Sequence, residues 1–135
     1  MKLYHYSKAV GEWCKTCFGL TTATDIPERN HRFIEEALEL VQSLGMTRDE
    51  VRLLVDYVYN REIGNPPQEV GGVMVTLAAL TEASGIELES AAFAELDRIR
   101  QPEMIEKIRR KHMSKPRKSP LPGDYKYHKS GEHHG

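Results

Sequence analysis

The chain has 135 residues, 39 % of them apolar, with a formal net charge of −1; that length holds one domain with a core, not two. It contains no run of about 18 apolar residues, which excludes a membrane-spanning helix. The opening Met1-Lys2-Leu3-Tyr4-His5-Tyr6 lacks the apolar stretch of a secretory leader, so a cytoplasmic protein is expected.

A first helix is expected from about His5 to Phe18, stopping at Gly19. Tyr6, Val10, Trp13, Cys14 and Cys17 recur at helical spacing and form one apolar stripe. The pair in Cys14-Lys15-Thr16-Cys17 has the spacing of a thioredoxin-type redox site. Such a site follows a strand in a parallel sheet, and strand-like alternation is nearly absent here. With His5 the two thiols make at most three zinc ligands, one short of the usual structural set. Packing inside a helical stripe is the expected role of both.

Residues 19–26, rich in Thr, are expected to form a loop. Pro27 then suits the first turn of a second helix, with Asp25 as a candidate cap. That helix continues through Leu44 to a stop at Gly45. Its apolar stripe is Phe33, Ile34, Ala37, Leu38, Val41 and Leu44. Glu39 points nearly opposite the centre of the stripe, and Glu36 lies at its flank. A spacing of three makes Glu36 and Glu39 neighbours, which repel by a few tenths of a kcal/mol on an exposed helix. Two readings follow. The acids are a solvated face, with Arg32 paired to Glu36 one turn on, or they are oxygen ligands for a divalent cation, as in metal-binding helical bundles.

Thr47-Arg48-Asp49-Glu50 has capping-box spacing and opens a third helix to about Tyr59. Val51, Leu54, Val55 and Val58 form its apolar face, and Gly64-Asn65-Pro66-Pro67 ends it. A fourth helix runs from about Gln68 to Ala83 and carries no charge between Glu69 and Glu82. A helix apolar nearly all round belongs at the centre of a bundle or at a subunit interface. Glu69 in its first turn also suits the helix dipole. Gly71 and Gly72 each lower helix propensity by about 1 kcal/mol, so the pair is expected to admit a close backbone approach. Gly85 closes the helix.

A fifth helix covers about Leu88 to Ile99, Pro102 breaks it, and a last segment spans Glu103 to about Met113. Lys107, Arg110 and Lys111 share one face of that segment. Residues 1–106 carry 10 basic and 18 acidic side chains, and residues 107–135 carry 9 basic and 2 acidic. The basic end has the charge to meet polyphosphate, nucleic acid or an acidic surface, or simply to be solvated. No helix-turn-helix, aromatic platform or zinc module accompanies it, so nucleic acid is not the expected partner. Residues beyond about 115 are expected to be extended or disordered. The expected architecture is an all-α helical bundle of about five helices over residues 1–113, dimeric, followed by a basic tail over 114–135.

The stretch Glu28-Arg29-Asn30-His31-Arg32-Phe33-Ile34-Glu35-Glu36-Ala37-Leu38-Glu39-Leu40-Val41-Gln42, with Glu69-Val70-Gly71-Gly72-Val73-Met74-Val75-Thr76-Leu77, resembles the MazG-like all-α NTP pyrophosphohydrolases. In that family Glu-x-x-Glu on one helix and Glu-x-x-Asp on another bind Mg²⁺. Glu36-Ala37-Leu38-Glu39 matches the first half and Glu69 opens the second, where Gly72 replaces the Asp. The resemblance covers roughly residues 28–112. It implies a Mg²⁺ (or Mn²⁺) site on Glu36, Glu39 and Glu69, with Glu35 orienting the attacking water. It also implies a nucleoside triphosphate cleaved to monophosphate and pyrophosphate, and Arg29, Arg32, Lys107, Arg110 and Lys111 as candidates to grip its phosphates. A degenerate bundle that only binds nucleotide, metal or protein is the alternative that Gly72 raises.

Overall fold

Glycine, proline and short polar residues cut the chain into six helices and no strand among the described residues, which are 2–115 and 118–122 of a computed structural model. The helices are α1 (Lys2–Ala23), α2 (Ile26–Ser43), α3 (Arg48–Tyr59), α4 (Pro66–Ser84), α5 (Leu88–Ile99) and α6 (Pro102–Ser114). The protein is therefore all-α.

The boundaries follow local chemistry. Gly19, at φ 80° and ψ 163°, breaks α1 where the stop was expected, a conformation open to glycine and closed to side-chain-bearing residues. Helical geometry resumes for one more turn, so the expected loop shrinks to the link at Thr24 and Asp25. Asp25 meets α2 through its carbonyl, which accepts the Arg29 N–H at 3.0 Å. Gly45 at φ 94° lets Met46 N–H reach the Val41 carbonyl at 2.9 Å, the bond that closes a Schellman end. Thr47 and Glu50 form the expected capping box. Asn65 belongs to the helix that follows it, capping the N–H of Gln68 at 3.2 Å, and Pro66 and Pro67 fill the first turn of α4, where a missing N–H is harmless.

Two compact units emerge, Met1–Phe33 with Asp97–Gly135, and Ile34–Leu96. In the first, α1 packs along α6. Cys14 and Cys17 are buried, free thiols on the expected stripe. Trp13 donates its indole N–H to the Ile99 carbonyl at 2.9 Å and meets Phe18 edge-on. Phe18 in turn meets the His112 ring at 5.0 Å between centroids. Arg109 of α6 closes the helix pair by donating to the Thr16 carbonyl at 3.2 Å. Burial raises the Cys17 thiol above its usual range, against the lowering effect of Arg109 and with a further push from Cys14. Cys17 is thus held as a neutral packing group, not as a thiolate nucleophile.

The second unit is built differently. Its buried residues among those described are Thr81 and Leu96. Of the expected apolar face of α3, Val51 is half-buried and Leu54, Val55 and Val58 are exposed, as are Val70, Val73, Met74 and Val75 on α4. Within one chain this charge-free helix is thus exposed over those four residues, while Leu77, Ala78 and Leu80 are half-buried and Thr81 is buried. The helix's own backbone bonds need no neighbour, so local propensity forms it while that part of its apolar surface remains uncovered.

Candidate functional site

Glu35, Glu36 and Glu39 lie on the half of α2 that belongs to the second unit, and Glu69 lies in the first turn of α4 in the same unit. Glu36, Glu39 and Glu69 are exposed, and Glu35 is half-buried. Hard carboxylate oxygens one turn apart suit a Mg²⁺ that keeps most of its water. No three His, Cys, Asp or Glu side chains among the described residues group closely enough to share an ion. The donors fit the metal in kind. Glu69 folds back over the turn that precedes its helix. A Cβ added to Gly64 would stand 3.1 Å from the Glu69 carboxyl carbon, so the glycine leaves that carboxylate its position. At Gly71 and Gly72 nothing lies within 4 Å of where a Cβ would be. The close approach their sequence suggested is not made by this chain's described residues.

The basic candidates fall in the first unit. Lys107, Arg110 and Lys111 are exposed on α6. Arg29 and Arg32 do converge, on a residue that sequence reasoning passed over. Glu28, buried at 7 % exposure, receives the Lys115 ammonium on both carboxylate oxygens. Arg32 Nε lies 3.5 Å from Glu28 Oε1, and an Arg29 amino group lies 3.9 Å from it. Three cations thus surround one carboxylate. Arg29 also lies over the Phe18 ring, 5.0 Å from its centroid, and donates to Cys14 Sγ at 3.7 Å. Its Nε is buried without an acceptor among the described residues. Arg32 reaches further and donates to the Pro120 carbonyl at 2.6 Å. Nothing in the sequence singles out Glu28, an ordinary first-turn acid four residues before an arginine. Lys115 reads there as the start of a solvated tail, yet its side chain is buried. Pro116, Arg117 and the residues after Pro122, which complete the expected tail, lie outside the described residues.

Burial acts to raise the Glu28 pKa, but the Lys115 hydrogen bond and the charges of Lys115, Arg32 and Arg29 prevail and lower it. Its stabilisation is present above the ordinary carboxyl value and is lost as pH falls through the lower folded value. Burial lowers the His112 pKa, Glu28 opposes, and Lys115, Arg29 and Arg32 lower it further. The folded state therefore favours neutral imidazole. The contribution of His112 is complete above the usual 6.5 and disappears as pH falls through its folded value, because the unfolded chain binds the proton more readily. The first unit is expected to melt at progressively lower temperature as pH falls below 6.5, and His112→Gln to flatten that slope. Trp13 fluorescence during heating reads it, and equal slopes in the two proteins would remove His112 as the cause.

Among the described residues no single helix is long and apolar enough to cross a membrane; α4 and α5 together carry the apolar length but are bent by 102°. Comparison with protein-family models, with curated proteins and with solved structures finds no match to this chain.

Proposed function

We propose that the protein is a cytoplasmic Mg²⁺-dependent nucleoside triphosphate pyrophosphohydrolase that works as a homodimer, with Mn²⁺ as an alternative ion. The observation that carries this reading is the pair Glu36 and Glu39, exposed on successive turns of α2, with Glu35 half-buried beside them. Glu36, Glu39 and Glu69 would hold the ion, which would supply neutralisation of phosphate charge and a more acidic water. Glu35 accepts a proton from the attacking water. Water adds to the α-phosphorus, the bond to the bridging oxygen breaks, and monophosphate and pyrophosphate leave. Arg29, Arg32, Lys107, Arg110 and Lys111 are the candidates to hold the phosphates. A second copy covers the exposed apolar faces of α3 and α4 and completes the donor set.

The experiment is a pyrophosphate-release assay across ribo- and deoxyribonucleoside triphosphates with Mg²⁺ or Mn²⁺. Release from at least one nucleotide is expected, falling by about 10²-fold or more in Glu39→Gln, since a lost ligand typically costs that much or more in a metal site. A folded, metal-supplied protein that releases nothing from the panel defeats the hydrolase reading. Gly72 favours a second reading. With no acid at that position, a bundle that binds nucleotide or protein without cleaving is the account that a negative assay would leave.

A further inference from the structure

Charge is divided unevenly between the two units. Ile34–Leu96 carries 12 acidic and 3 basic side chains, whereas Met1–Phe33 with Asp97–Gly135 carries 8 acidic and 16 basic. The three bases of the second unit are Arg48, Arg52 and Arg61, and from Glu62 to Leu96 there are six acids and no Lys or Arg. Like charges gathered in this way repel one another, and a surface of opposite sign relieves the repulsion.

Each sign has a place where it is presented to solvent. On α6, Lys107, Arg110 and Lys111 are exposed, and their spacing puts them on one face. Arg109 gives its guanidinium to the Thr16 carbonyl and Lys115 its ammonium to Glu28. The side chains of Lys107, Arg110 and Lys111, by contrast, make no hydrogen bond or ion pair among the described residues. Glu103 and Glu106 lie earlier in the helix, so the positive charge belongs to its C-terminal half. Met113, three residues after Arg110, is exposed too. In the second unit, Gly85 at φ 72° ends α4, and α5 leaves it at a bend of 102°. Glu82 and Glu87 flank this corner, both exposed, with Ile86 exposed between them. Glu87 accepts the Ser90 N–H, and the Glu82 carboxylate has no partner among the described residues.

We propose that the Lys107, Arg110 and Lys111 face of α6 docks on the Glu82 and Glu87 corner of a second copy of the chain, and that the contact is reciprocal. A nucleic-acid backbone would match the cations but offers nothing to Met113. The corner offers carboxylates to the cations and Ile86 to Met113, and it is present at the concentration of the protein itself. A contact made twice across a two-fold closes as a dimer and does not grow into a filament. The contact deepens the homodimer reading given above. The apolar faces of α3 and α4 supply area, and the charged patches fix which way round the two copies meet.

The test follows self-association of the full chain by sedimentation equilibrium. Raising salt from about 50 to about 500 mM is expected to weaken association of the parent about tenfold, since exposed charges are then screened. Lys107→Glu, Arg110→Glu and Lys111→Glu together are expected to weaken it about 10²-fold at low salt, because like charges face each other at both repeats. Glu82→Lys with Glu87→Lys is expected to do the same. Mixed one to one, the two variants are expected to associate with each other within a few-fold of the parent, since each reversed face then meets a reversed corner. All five positions are exposed, and circular dichroism checks that both variants remain helical. Variants that associate as the parent does, a mixture that fails to recover, or a parent indifferent to salt overturns the contact. A monomeric parent overturns it as well, and binding of the parent to a DNA duplex or to anionic vesicles would then identify the other occupant of the α6 face. If both charge variants keep a dimer that Val73→Asp abolishes, the homodimer stands and this contact falls. The hydrolase reading is judged separately by the release assay.

Discussion

Val73→Asp is expected to convert the homodimer proposed above to a monomer. Val70, Val73, Met74 and Leu77 recur at helical spacing on α4, and the first three are exposed, Val73 at 38 % and Met74 at 37 %. The helix has no charge between Glu69 and Glu82, so nothing on this face favours water over another apolar surface. Contiguous apolar patches of this kind on soluble proteins mark an interaction site. If a second copy covers the face, the two-fold places each substitution in the interface twice. An unpaired carboxylate buried in such a contact costs about 3 kcal/mol or more. Two of them amount to roughly 6 kcal/mol, or about 10⁴-fold in dissociation constant. Light scattering on a sizing column should give twice the 15.4 kDa chain mass for the parent and one chain mass for the variant. Trp13, in the first unit and the chain's one tryptophan, reports whether the rest of the fold survives. A parent that runs as a monomer, or a variant that stays dimeric, removes α4 as the interface.

Glu28→Ala is expected to be the most destabilising single change in the first unit, by about 3 kcal/mol, the usual consequence of leaving a buried charge without its partner. The substitution strips the acceptor from Lys115 and leaves Lys115, Arg29 and Arg32 to repel one another around a cavity. Glu28→Gln should be milder, since the amide oxygen still accepts. The double change Glu28→Gln with Lys115→Met should recover part of the loss, because replacing both partners of a buried pair removes the uncompensated charge. Denaturant unfolding followed by Trp13 fluorescence measures all three, and the non-additivity of the double change gives the pair its coupling energy. A Glu28→Ala protein within about 0.5 kcal/mol of the parent would place Glu28 among ordinary surface residues.

Local chemistry made most of the secondary structure legible. Gly19, Gly45 and Gly85 end helical segments at positive φ, Thr47 and Glu50 pair reciprocally, and Leu88 and Ile99 bound a helix as expected. Each depends on residues a few positions apart, so each can be read along the chain. Asn65 shows the limit. The same Gly-Asn-Pro-Pro run that stops one helix also caps the next, and the run alone favours neither role. The acids Glu36 and Glu39 were legible as a pair for the same local reason, whereas the relation of Glu69 to them depends on how separate helices meet.

The sequence by itself determined that this protein is helical, where Gly19, Gly45, Gly85 and the Thr47–Glu50 capping box mark helix limits, and that Cys14 and Cys17 share an apolar stripe. Tertiary structure alone decided that Val70, Val73, Met74 and Val75 of α4 are exposed, that Glu28 is the buried centre of a cationic cluster, and that Lys115 and Pro120 reach α2. The physical reason is range. Caps, breaks and periodicity are energies between residues within a turn or two of one another, and they are written in spacing. The ion cluster joins positions 87 residues apart, Glu28 and Lys115, and the Arg32–Pro120 bond spans 88. Such pairings are chosen by which helices pack, here α1 against α6, and by which surfaces that packing leaves open to water.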